Sequence, residues 1–142
     1  MKKNVRILST FLGISMFSFG TLKFIDPFKM WYRVQISMSD FPLPTLSYSA
    51  GQIGEIVTGV LLLLLIISRD KISPSTLKSG VILMNLSIIV MMIVATYIHL
   101  HPGVSNDVLP LKIKPPIIPL FFLVLSVFNL ISPRKQLNQS HS

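Results

Sequence analysis

Tyr48-Ser49-Ala50-Gly51-Gln52-Ile53-Gly54-Glu55-Ile56-Val57-Thr58-Gly59-Val60-Leu61-Leu62-Leu63-Leu64-Leu65-Ile66-Ile67 decides the fold. From Val60 onward every residue is aliphatic, and the whole stretch holds a single charged side chain, Glu55. At 1.5 Å per residue a helix over it spans about 30 Å, the thickness of a bilayer's hydrocarbon layer. Three more apolar stretches flank it. They run over about Val5–Ile25, Ser79–Leu100 and Pro116–Ile131. The last is the shortest, at about 24 Å of helix, and Pro115 and Pro116 suit its start, where a missing N–H costs nothing.

Composition agrees with lipid as the solvent. Of the 142 residues, 51% are hydrophobic and only 13% charged, with mean hydropathy +0.68. Soluble domains carry about 25% charged residues. The formal charge of +8 sits in short clusters between apolar runs, the pattern of membrane loops rather than of a nucleic-acid-binding face. The absence of cysteine excludes disulfides, thiolate metal sites and thiol redox chemistry. Lys2, Lys3 and Arg6 before an apolar run resemble a secretory signal, but the run is long and no A-x-A junction follows, so it reads as a retained span.

The sequence therefore predicts an all-α membrane protein: one domain over residues 1–135, made of four transmembrane helices at about 5–25, 48–67, 79–100 and 116–131. A disordered polar tail follows over 136–142. Lys2, Lys3, Arg6, Arg69, Lys71, Lys78, Arg134 and Lys135 fall on one side of this arrangement, and Lys23, Lys29, Arg33, Lys112 and Lys114 on the other. The richer side is expected in the cytoplasm, with both chain ends there, as in a multi-pass protein of a bacterial cytoplasmic membrane. The first outer segment, residues 26–47, holds Trp31 and Tyr32 among apolar neighbours and predicts a short interfacial helix. Phe41-Pro42-Leu43-Pro44 predicts an extended return from it to the second span.

Glu55 is the most informative polar residue. It lies about 10 Å below the outer interface, where a lone carboxylate is costly and demands a partner. Lys23, near the outer end of the first span, is the expected one. The alternative is a Lys23 that snorkels to the surface and a neutral Glu55. Gly51, Glu55 and Gly59 share one helix face, and Gly20 opens room on the first span, so close helix packing is expected there. Gln52 lies beside that face. The pair could handle protons or bind a headgroup, or serve only as a polar clamp.

His99 and His101 close the third span and are candidates to join Lys23 and Glu55 in an outward-facing polar pocket, with Tyr48 and Tyr97 around it. They are too few to hold a metal. Asn85, Ser87, Ser126 and Asn129 predict hydrogen bonding between helices, with Asn85 and Asn129 close enough in depth to meet. No nucleophile–base set and no phosphate-binding loop is present.

Several segments together resemble the DoxX-like family of small four-helix bacterial membrane proteins. They are Gly20-Thr21-Leu22-Lys23-Phe24, Tyr48-Ser49-Ala50-Gly51-Gln52-Ile53-Gly54-Glu55 with Gly59, and His99-Leu100-His101-Pro102-Gly103 followed by Val108 to Pro116. The resemblance runs from about Gly13 to Asn129. It implies the four-helix fold and a small membrane subunit of the kind associated with a thiosulfate:quinone oxidoreductase. Three function classes follow: a non-catalytic membrane subunit or assembly partner, a subunit of a quinone-coupled oxidoreductase with quinone as a possible ligand, and a small transporter. A larger membrane or redox subunit is the partner expected in the first two.

Overall fold

Proline and serine set where the helices begin. The computed structural model describes residues 3–134, and Lys2, Lys135, His141 and the expected tail over 136–142 lie outside them. Helix α1 spans Lys3–Leu22, α2 Phe28–Met38, α3 Pro44–Ile67, α4 Pro74–Leu100 and α5 Ile117–Arg134. No strand occurs among the described residues. Three of these helices, α1, α3 and α4, are long and apolar enough to cross a membrane, and the apolar part of α5, Ile117–Ile131, is shorter.

The observed ends differ from the apolar windows for local reasons. Helix α4 starts at Pro74, ahead of the expected Ser79, because Ser73 caps it: the Ser73 hydroxyl accepts from Thr76 N at 3.1 Å, and Pro74 takes the first helical position. Helix α3 likewise starts at Pro44 rather than Tyr48. Helix α1 stops at Leu22, short of Ile25, as the chain tightens through Phe24 N–Thr21 O and Ile25 N–Leu22 O bonds toward Pro27, which has no N–H. The expected extended return over Phe41–Pro44 is instead a sharp turn, with Asp40 and Leu43 both left-handed (φ 50° and 51°). Helix α5 runs to Arg134, so its 18 residues span about 27 Å.

The four long helices close a ring in which α1 packs most closely on α3 and α4 on α5, with α3–α4 and α1–α5 completing it. Helix α3 runs antiparallel to α1, and glycines let the two backbones touch. A Cβ on Gly59 would sit 2.5 Å from Phe17 N and 2.8 Å from Gly13 O, and one on Gly20 would sit 2.9 Å from Ile56 N. Only glycine allows that approach, as in small-residue membrane interfaces. Leu12, Met16, Leu62 and Ile88 are fully buried at the centre. The ring's outside is apolar: Ile14, Leu64, Val90 and Val124 are each more than half exposed. So continuous an apolar shell is compatible with a lipid surround.

At one end α2 and residues 101–116 form a cap with its own small core of Ile36, Ile98, Val104 and Leu109. Gln35 Nε2 donates to Val108 O, and Lys114 Nζ donates to His101 O (2.6 Å) and to Val104 O. These bonds fasten an irregular loop that has few backbone hydrogen bonds of its own.

Candidate functional site

Beneath that cap the first turn after α1 places Lys23 against the N-terminal half of α3. Its Nζ lies 2.6 Å from Glu55 Oε1, with side-chain exposures of only 18% and 10%. The close α1–α3 packing at Gly20 brings the two backbones near enough for this contact. The ammonium also sits 3.9 Å from the centroid of the Tyr32 ring, so the cation lies between a carboxylate and an aromatic face.

Tyr32 comes from α2, and α3 has a glycine where its hydroxyl lands: a Cβ on Gly51 would fall 2.0 Å from Tyr32 Oη. Gly51 therefore receives the cap's tyrosine rather than a neighbouring span. Tyr48 packs on Tyr32 at 5.1 Å between centroids, its hydroxyl donates a long bond to Lys23 O (3.4 Å), and Arg33 lies 5.6 Å over its ring. Burial, with the Glu55 carboxylate close by and Tyr48 beside it, pushes the Tyr32 phenol well above its ordinary value of 10.0.

Gln52 and Glu55 are 5% and 8% exposed and sit one turn apart on the same side of α3. Gln52 Nε2 and Glu55 Oε2 have no hydrogen-bond partner among the described residues. The cluster thus retains a buried donor and a buried acceptor after its internal bonds are counted, an arrangement that can engage a small polar group or a water.

The histidines stand apart from this cluster. His99 Nδ1 donates to Ala95 O of its own helix at 3.0 Å. His101 Nδ1 accepts from Gly103 N, and its Nε2 lies 3.6 Å from Asp40 Oδ2 at the edge of the cap. Tyr97 is half exposed and packs on Phe41 and His101. Neither histidine bonds to Lys23 or Glu55 among the described residues. His99 continues the inward stripe of α4 but follows Met91, the residue level with Gly54, by eight residues, and His101 lies past the helix end. No set of three or more metal-ligating side chains occurs among the described residues.

A second polar cluster lies toward the opposite end of the bundle. Asn129 Nδ2 donates to Asn85 Oδ1 (3.2 Å) and to Ser9 Oγ (2.9 Å), and Asn85 Nδ2 donates to Val81 O (2.7 Å). All three side chains are fully buried. The two asparagines meet as expected, but Ser9 completes the network from α1. Ser87 does not reach a neighbour: its hydroxyl bonds to Leu83 O of its own turn. Ser126 is buried without a partner among the described residues rather than bridging helices.

Sequence reasoning missed Tyr32, Gln35, Lys114 and Ser9 as structural contributors. Tyr32 was legible only as part of an interfacial helix, and Gly51, expected to pack against a neighbouring span, receives its hydroxyl instead. Comparison with known proteins finds no matching family model, no matching curated protein and no matching solved structure.

Proposed function

We propose that this chain is a DoxX-like membrane protein of four spans with both ends in the cytoplasm, and that it works as a non-catalytic subunit or assembly partner of a larger membrane complex. The carrying observation is the closed state of the outer cluster. Lys23 is held by Glu55 at 2.6 Å and covered by Tyr32, so its charge is spent inside the protein. Such a pair ties two helices together, and its lysine is not free to act on a substrate.

The orientation gains support from the basic residues. Eight lysines and arginines fall on the side that holds the chain ends and five on the other. The richer side is the cytoplasmic one by the positive-inside rule. A transporter is disfavoured because the fully buried Leu12, Met16, Leu62 and Ile88 lie between the outer and inner polar clusters.

One observation favours a second reading, a subunit of a quinone-coupled oxidoreductase. The unpartnered Gln52 Nε2 and Glu55 Oε2 offer a donor and an acceptor side by side, as a quinone and its quinol require. Thermal unfolding of the detergent-purified protein with quinone analogues separates the two. The subunit reading expects no change in melting temperature, and a larger membrane protein recovered with the tagged chain under mild extraction. A rise with quinone that disappears in Glu55→Gln establishes the second reading instead.

A further inference from the structure

At the end of the bundle away from the cap, a groove of about 500 Å3 runs between α1 and the end of α3. Ligand sites of this size accept one small molecule or one chain of a larger amphiphile. Ile7, Phe11, Ile14 and Ile66 line it, with Arg6 and Arg69 among the lining residues. Ile7, Phe11 and Ile14 are about half exposed and point outward, so the groove opens toward lipid rather than toward the core. The one hydroxyl in its wall, Thr10 Oγ1, is already bonded to Arg6 O at 2.9 Å. The wall therefore presents carbon along its length.

The two guanidiniums are available. The Arg6 guanidinium makes no hydrogen bond or ion pair among the described residues. Arg69 has only long contacts, 3.4 Å to Ile66 O and 3.3 Å to Asp70 Oδ2, and the Asp70 side chain is 80% exposed. Two arginines beside an apolar trough match an amphiphile with an anionic head, because a guanidinium binds phosphate bidentately. The surroundings favour the same ligand: Lys3, Lys71 and Lys78 lie at this end against Asp70. A second copy of this chain would bring two more arginines to the same spot, and like charges oppose that.

We propose that this groove binds one anionic phospholipid, with its phosphate between Arg6 and Arg69 and an acyl chain along Ile7, Phe11, Ile14 and Ile66. The proposal rests on the membrane reading of the chain and adds a specific lipid position to it. The annular lipids around the other faces exchange freely, whereas this one is held at both head and tail.

The test is native mass spectrometry of the detergent-purified chain titrated with phosphatidylglycerol, phosphatidylcholine or glycerol 3-phosphate. One phosphatidylglycerol is expected to be retained per chain, and phosphatidylcholine is not. The Arg6→Gln/Arg69→Gln variant is expected to bind phosphatidylglycerol roughly thirtyfold more weakly, the value for two basic groups at a membrane surface. Lys71→Gln/Lys78→Gln, which removes the same charge outside the groove lining, is expected to weaken binding by no more than about threefold, since neither lysine touches the groove. Circular dichroism confirms that both variants remain helical, as expected for positions outside the buried core. Equal loss in the two variants, equal retention of both lipids, displacement by glycerol 3-phosphate alone, or a doubled mass with no lipid overturns the proposal. A chain that is monomeric and folded in plain buffer overturns the membrane reading itself, and is distinguishable from all four.

Discussion

Separating Lys23 from Glu55 is the most direct perturbation of the outer cluster. At 2.6 Å the attraction is about 6 kcal/mol if the effective dielectric constant is about 20. Desolvation of both groups offsets part of that, since each side chain keeps only a small part of its surface exposed. Lys23→Ala leaves a carboxylate buried without its cation and should cost about 3 kcal/mol, the range for breaking such pairs. Glu55→Ala should cost less, about 2 kcal/mol, because a freed lysine reaches the interface along its own alkyl chain. In the double variant neither charge is stranded, so the loss stays near 3 kcal/mol and the coupling energy is about 2 kcal/mol. Reversible unfolding in mixed micelles, followed by circular dichroism, measures all three. If the double variant loses the full sum of the single losses, the pair is not coupled and the account of the cluster is wrong.

Three further perturbations test the surrounding packing. Gly59→Ala drives a methyl into the α1 backbone at 2.5 Å from Phe17 N and should cost about 2 kcal/mol by overpacking. Gly54→Ala meets only Met91 Sδ at 3.5 Å and should gain up to about 1 kcal/mol from helix propensity, so the two glycines shift the unfolding midpoint in opposite directions. Asn129→Ala removes two interhelical bonds and should cost about 1–2 kcal/mol, whereas Ser87→Ala, whose hydroxyl bonds its own helix, should leave the midpoint unchanged. Tyr32 keeps its proton above the ordinary tyrosine value of 10.0 while the unfolded chain loses it there, so its contribution to stability is full below pH 10 and declines as pH rises beyond it. Tyr32→Phe should flatten that alkaline decline in a melting series, and an unchanged slope would show that Tyr32 is not buried against the pair.

The long helices and the ion pair were legible for the same reason: lipid punishes exceptions. Uninterrupted aliphatic residues over Val60–Ile67 have few other homes, and a carboxylate such as Glu55 inside them must find a cation within reach. The Asn85–Asn129 contact followed from depth alone. The relative placement of helices was less readable. Gly54, beside Glu55, packs at Met91, and His99 follows Met91 by eight residues of helix, about 12 Å, where its imidazole bonds Ala95 O instead of the pair. Tyr32 was visible as part of an interfacial helix, yet its place over Lys23 depends on how α2 docks, and docking is a tertiary event with no period in the sequence. The helix ends shifted because capping by Ser73 and the prolines at 44 and 74 act outside the apolar windows.

The placement of the two polar clusters bears on what the bundle can do. Helix α1 belongs to both: the residue following it, Lys23, holds α3 through Glu55, and Ser9 near its start holds α5 through Asn129. Between them the contact with α3 is backbone against backbone at Gly59, with no side chain to slide over. A helix tied at each end and touching its neighbour without intervening side chains cannot rotate or shift along its axis unless one tie breaks. Bundles that alternate access leave one such interface loose, since rocking of one half against the other is how they work. Here the loosest connection is the cap, fastened by a few bonds from Gln35, Lys114 and the Asp40–His101 pair. Conformational change is therefore expected in α2, which covers the lysine with Tyr32, and in the loop over 101–116, while the four long helices keep their positions.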